Sequence, residues 1–212
     1  MTASLHNHRH LQRVAPAVSL PRVLPVSPAR PRLTPQAEGL LQIHTAPFRG
    51  SFSSVFSQAL RSAGLGSRVL ITQFLKGGVD QGAERSLWLC GRLQWMRPAV
   101  AATLAEPPAT LAEPPASGQE NATVQAIGPE QAISAVQEVW EATRDRLLSG
   151  SLDLVVLDEL GLALELGYLK ALDVVSTLEQ RPAHLDVILT GPSMPPALLA
   201  MADQLTQLRR CA

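Results

Sequence analysis

The chain has 212 residues, a formal net charge of zero, 46% hydrophobic residues and 17% charged ones. That length suits one ordinary domain with tails, and the balanced charge excludes a nucleic-acid footprint or a polybasic membrane surface. Aromatics reach only 4%, so the expected core is aliphatic, and the two cysteines, Cys90 and Cys211, form no CxxC pair that would suggest a disulfide framework or a cysteine zinc site.

Residues 1–38 carry Pro16, Pro21, Pro25, Pro28, Pro31 and Pro35 among Arg, Ser and Ala. Proline has no amide hydrogen and a fixed φ, so this tract cannot sustain a helix or an inner strand and is expected to be a disordered leader. Its HNHRH stretch admits two readings, a metal site built on alternating histidines or a solvated tail. Prolines and arginines break up any secretory h-region, and no apolar run approaches the roughly 18 residues of a membrane span. A cytoplasmic protein is expected.

From residue 39 the rhythm changes to one domain, expected to run to residue 209. LLQIHT (40–45) predicts a strand. SFSSVFSQALRSAG (51–64) predicts a helix, because Phe52, Val55, Phe56, Ala59, Leu60 and Ala63 recur at helical spacing before Gly64 and Gly66. SRVLITQFL (67–75) reads as a buried strand and LQWM (93–96) as a weaker one. From about residue 98 to 123 a proline-rich insertion is expected, containing the tandem copy TLAEPPA at 103–109 and 110–116.

Residues 129–150 predict a long helix, with Pro129 in its first turn, Gly150 at its end and Ile133, Val136, Val139, Trp140, Thr143 and Leu147 on one face. LDLVVLDE (152–159) is a near-continuous apolar strand, followed by helix through 179 in two pieces with a break near Gly167. LDVILTG (185–191) predicts a buried strand, PPALLAMADQ (195–204) a short helix and LTQLR (205–209) a last strand. Strands apolar throughout, alternating with helices, mean a mainly parallel open sheet with helices on both faces. In such α/β folds ligands sit beyond the carboxyl ends of the strands, here TAPFRGS, QFLKGG, LDE and LTGPS.

Two of these ends bear on chemistry. VVLDEL delivers Asp158 and Glu159 at a strand's carboxyl end, the Walker-B pattern in which an acidic group holds magnesium, directly or through water, beside phosphates. An acidic helix start with no metal gives the same letters, because carboxylates favour helix N-termini. TAPFRGSFSS, at 45–54, occupies the first strand–turn–helix, where a phosphate loop belongs. No GxxxxGK[ST] occurs anywhere in the chain; Pro47 removes an amide and Phe48 adds bulk, while Arg49, Gly50 and the hydroxyls of Ser51, Ser53 and Ser54 remain. An anion-binding turn and an ordinary N-capped turn both satisfy these residues.

Three stretches together, RVLITQFLKGG, LDLVVLDELGLALELGYL and RPAHLDVILTGPSMPPALLAMADQLTQLR, resemble the ATP:corrinoid adenosyltransferases of cobalamin biosynthesis, the cob(I)yrinic acid a,c-diamide adenosyltransferase family. The resemblance spans roughly residues 41–96 and 127–209 and extends to a bacterial, cyanobacterial-type subgroup of P-loop NTPase family proteins with a degenerate loop. It implies a P-loop NTPase-like, RecA-type fold, with ATP and Mg2+ bound and a reduced corrinoid as substrate. The expected partners are these small molecules and at most a second copy in a homodimer, with no nucleic acid and no membrane. The family loop, close to T-G-N-G-K-G-K-T-T, falls on Thr45, Ala46, Pro47, Phe48, Arg49, Gly50, Ser51, Phe52 and Ser53. The resemblance therefore implies nucleotide contacts at Thr45, Ala46, Arg49, Gly50, Ser51, Phe52 and Ser53, with Ser51 where the phosphate lysine stands and Phe52 where a magnesium hydroxyl stands. Asp158 and Glu159 would hold the magnesium. The family's LTGR arginine is Pro192 here. Where the resemblance implies a segment that covers the corrinoid, WMRPAV and the insertion stand here, and no counterpart of the family's tail beyond the last strand is expected.

Overall fold

The computed structural model describes residues 38–47, 52–77, 82–100, 104 and 128–209. The proposed leader, HNHRH and most of the proline-rich insertion lie outside these residues. Strands β1 (Leu41–Thr45), β2 (Val69–Gln73), β3 (Leu87–Leu89), β4 (Leu93–Met96), β5 (Leu154–Asp158), β6 (Asp186–Gly191) and β7 (Gln204–Gln207) alternate with helices α1 (Ser53–Gly64), α2 (Pro129–Leu148), α3 (Leu160–Glu165), α4 (Ala171–Glu179) and α5 (Pro196–Met201). They form one sheet in the order β3-β4-β2-β5-β6-β1-β7. Every neighbouring pair is parallel except β3 with β4. The expected α/β class, an open and mainly parallel sheet, is the one observed.

The apolar runs form strands because both faces of the sheet are covered. Every residue of β2 and of β5 is buried. On one face Leu70, Val155, Leu157, Val187 and Leu189 pack with Val136, Val139, Trp140 and Leu147 of α2, Leu160 and Ala163 of α3, Val174 and Leu178 of α4 and Leu198 of α5. On the other, Ile71, Leu93, Val156 and Ile188 pack with Val55, Ala59 and Ala63 of α1. Leu60, expected on the buried stripe of α1, is 46% exposed, because the stripe that meets the sheet is the narrower one through Val55, Ala59 and Ala63.

The broken helix after β5 follows from Gly167, whose φ of +77° stops α3 before α4 begins. The antiparallel strand β3 was not expected. It has three residues at the sheet edge, two of them, Leu87 and Trp88, exposed, so it lacks the apolar run that marks a buried strand. Pro98, Val100 and Leu104 lie within the stretch read as an insertion, yet Val100 is buried and Leu104 donates its amide to Leu75 O at 2.8 Å and packs on the core.

Carboxylates secure the amino ends of the strands. Asp186 accepts from Leu40 N at 2.8 Å, Asp203 from Leu41 N at 2.7 Å and Asp153 from Arg68 N at 2.7 Å. The carboxyl ends are thereby left as the side where the chain crosses from one strand to a distant one. β6 lies between β1 and β5, so the turn after β1 and the acidic end of β5 flank a common strand. No helix among the described residues is long and apolar enough to cross a membrane.

The central strand β5 carries most of this packing. Leu157→Ala should cost about 2–5 kcal/mol, as for other fully buried leucines, read as a lower midpoint in urea unfolding with an unchanged slope.

Candidate functional site

The two-residue period of a strand places alternate side chains on one face. On the face covered by α1, the apolar row Ile71, Val156 and Ile188 is followed one pleat later by Gln73, Asp158 and Thr190. Register sets these side by side: Gln73 pairs with Asp158 in the β2–β5 ladder, and His44 pairs with Thr190 in the β1–β6 ladder. The core thus turns polar along one line at the carboxyl ends of four strands.

Asp158 is the centre of that line. It is 1% exposed, so its charge has to be met by protein groups. Thr190 Oγ1 donates to Oδ1 at 2.7 Å, while Gln73 Nε2 at 2.7 Å and Lys76 Nζ at 3.1 Å both donate to Oδ2. Gln73 Oε1 in turn accepts from Trp95 Nε1 at 2.9 Å and Arg97 Nε at 2.8 Å. Those partners admit only one orientation of the Gln73 amide, since the oxygen must face the donors. The Thr190 hydroxyl also accepts the backbone N–H of Glu159 at 3.1 Å.

Glu159 is 2% exposed and has φ +58°, ψ +25°, the left-handed region that a side chain other than glycine enters at a cost of about 1–3 kcal/mol. This turn lets its carbonyl accept from Ala163 N at 3.0 Å, which starts α3 directly from the strand end. Gly161 then passes so close to the β6–α5 loop that a Cβ there would meet the Ser193 carbonyl oxygen at 1.5 Å. The acidic turn and the loop after β6 are therefore held as one unit.

Above the line lies an aromatic pair, Phe56 of α1 and Trp95 of β4, stacked with centroids 5.5 Å apart. Lys76 Nζ is 5.9 Å from the Phe56 ring, and the Arg97 guanidinium carbon is 5.5 Å from the Trp95 ring, within cation–π range. Lys76 thus stands between Asp158 and the first turn of α1.

The phosphate-loop position is split by what the structure describes. Thr45 ends β1, Ala46 is buried, Phe52 is the N-cap residue of α1 and Ser53 is its first residue. Phe52 offers no side-chain cap and is instead buried in the apolar cluster beneath α1. Arg49, Gly50 and Ser51 lie outside the described residues.

The magnesium expectation meets an occupied carboxylate. Three of the roughly four acceptor positions of Asp158 are taken, one of them by an ammonium group. The hydroxyl expected to assist is a buried phenyl ring, and Glu159 is itself buried. Among the described residues, no three His, Cys, Asp or Glu side chains come together in a way that could hold a metal ion. These residues do not fit a directly ligated magnesium ion.

The sequence reading named Asp158 and Glu159 but not Gln73, Lys76, Arg97, Thr190 or His44. The signal available for Gln73 and Thr190 is a polar residue at the end of an otherwise apolar strand. Lys76 lies in QFLKGG, one of the strand ends where a ligand was expected, but its role and that of Arg97 come from the pairing of β2 with β5 and with β4. His44 continues the polar line onto β1, and its Nε2 is buried without a hydrogen-bond partner. Burial holds its pKa below the ordinary 6.5.

Two outcomes are expected. Asp158→Asn removes the charge but keeps the shape, and should cost about 1–3 kcal/mol in denaturant unfolding, moderated because the Lys76 side chain, 34% exposed, can rehydrate. His44 binds its proton less readily folded than unfolded, so the unfolded state takes up more protons as pH falls below 6.5 and stability declines there. His44→Phe should flatten that decline in thermal unfolding scans from pH 7 down to pH 5.

The family described as ATP:corrinoid adenosyltransferase BtuR/CobO/CobP matches residues 37–212. The chain is similar to a corrinoid adenosyltransferase of Escherichia coli strain K12, 30% identical over 171 residues, spanning 81% of this chain and 76% of that one. The corrinoid adenosyltransferase CobA of Salmonella typhimurium strain LT2 is 30% identical over 181 residues, with 85% and 82% covered. A corrinoid adenosyltransferase of Pseudomonas aeruginosa is 28% identical over 170 residues, with 80% and 74% covered.

Proposed function

The chain belongs to the ATP:corrinoid adenosyltransferase family, and we propose that it performs this family's reaction with a rebuilt phosphate loop. In that reaction the cobalt(I) of a reduced corrinoid attacks C5′ of ATP. A cobalt–carbon bond forms, the C5′–O bond breaks, and triphosphate leaves with the bonding electron pair. We place it in the cytoplasm.

The observation that carries this reading is the polar line Gln73–Asp158–Thr190 with Lys76 beside it, next to the turn that follows β1. A buried carboxylate with three donors and a left-handed Glu159 both cost stability, and an apolar strand end would fold at least as well. Such a costly arrangement at the carboxyl edge of a parallel sheet is what a ligand site requires. In this reading Thr45, Ala46, Gly50, Ser51, Phe52 and Ser53 line the nucleotide's phosphates, Phe52 through its backbone. Arg49 adds an assisting grip on an oxygen pair, and Glu159 occupies the acidic position that helps hold the metal in the family it resembles.

One observation favours a second reading, a relative that binds nucleotide or corrinoid without transfer. Phe52 is 2% exposed and belongs to the packing under α1, where the family loop has a hydroxyl, and Ser51 stands for the phosphate lysine. Losing both should weaken triphosphate binding by several powers of ten unless other cations compensate, at about 1.5–3 kcal/mol for each charge-assisted bond.

Purified protein given ATP and chemically reduced corrinoid should form the adenosyl–cobalt product, followed by its absorbance change. Arg49→Ala should slow it about tenfold or more. ATP binding by calorimetry without any product would overturn transfer in favour of the second reading, and no binding of ATP or corrinoid would overturn both. Glu159→Ala, titrated in the same way, should weaken ATP binding if the strand-end acid contributes to the site.

A further inference from the structure

We propose that Lys76 is the main phosphate-binding cation of this chain, standing in for both the missing loop lysine and a directly held divalent ion, so that the site takes ATP free of metal. This rests on the reading above that the strand ends bind a nucleotide.

The position of Lys76 carries the inference. Its ammonium bonds Asp158 Oδ2 at 3.1 Å, at the acidic end of β5, and lies 5.9 Å from the ring of Phe56 in the first turn of α1. The turn after β1 leads into that same helix end, so Lys76 is placed between the acid and the phosphate-loop position. One of its three N–H donors reaches Asp158 and the side chain is 34% exposed, which leaves donors for an anion arriving from solvent. The Arg97 guanidinium, anchored by Nε to Gln73 and lying over Trp95, adds a second cation on the same face.

The charge arrangement explains why a metal is unnecessary. Magnesium at such a site neutralises phosphate oxygens and is held by carboxylate and hydroxyl oxygens. Here the carboxylate already neutralises an ammonium, and the hydroxyl position is Phe52, buried in the core. A cation placed directly on Asp158 would have to share a carboxylate that Lys76 already neutralises and would be repelled by that ammonium, whereas a polyphosphate can approach Lys76 while Asp158 keeps it in place. Asp158 then acts as a positioning residue for the lysine and not as a metal ligand.

The test is calorimetric titration of the full chain with ATP, once in EDTA and once in excess Mg2+, on the native protein, Lys76→Met and Lys76→Arg. Affinity in EDTA should equal or exceed that in excess Mg2+. Lys76→Met should weaken binding in EDTA at least about tenfold, and Lys76→Arg should restore most of it. Thermal unfolding of both variants checks that each is folded, and inorganic triphosphate should show the same pattern because the recognised group is the phosphate chain. Binding about tenfold or more weaker in EDTA, or unchanged by Lys76→Met, would overturn the inference while leaving a nucleotide site in place. Absence of ATP binding under both conditions would overturn the inference together with the nucleotide reading.

Discussion

A buried carboxylate that must be neutralised and hydrogen-bonded organises this molecule. Asp158 lies at the end of the central strand β5, and its donors come from the end of β2 and the end of β6. Leaving such a group unmet would cost several kcal/mol, so its partners are constrained in turn. Gln73 faces one way only, Trp95 of β4 and Arg97 just beyond it are drawn to it, and the Thr190 hydroxyl is shared with the backbone of Glu159. The carboxyl edge of the sheet is thereby fixed across four strands by hydrogen bonds, where elsewhere it is fixed by apolar packing.

The same constraint shapes the backbone. Holding Asp158 inward while turning directly into α3 requires Glu159 to adopt a left-handed conformation, and the close passage of Gly161 against Ser193 ties that turn to the loop after β6. Strain of this kind persists where surrounding structure over-determines it. The acid pair, the threonine and the loop after β6 therefore form one rigid corner, with the polar line leading from it towards β1.

The first strand–turn–helix carries no GxxxxGK[ST], and Phe52 at its end is part of the apolar packing under α1. The strand-end corner nevertheless carries a cation of its own in Lys76. A first turn without that motif's lysine and a strand end that carries a lysine are the two features that the proposed chemistry joins.

Much of the fold was legible in the residues, because a parallel sheet covered on both faces demands continuous apolar strands, and LITQ, LVVLD and VILTG are such runs. Pro129, Gly150 and Gly167 likewise mark helix limits by backbone chemistry that acts locally. Asp158 and Glu159 could be found because an acid at the end of an apolar strand is conspicuous along the chain. What the sequence could not supply was the neighbours of that acid. Gln73, Lys76, Thr190 and Arg97 lie 32 to 85 positions away from Asp158 or reach it through a second residue, and only strand order and register bring them together. The sequence by itself determined the elements and the edge on which a site could lie, since propensity and hydrophobic period are local. The tertiary structure alone decided that Asp158 holds a lysine, because charge compensation depends on distance in space and not along the chain.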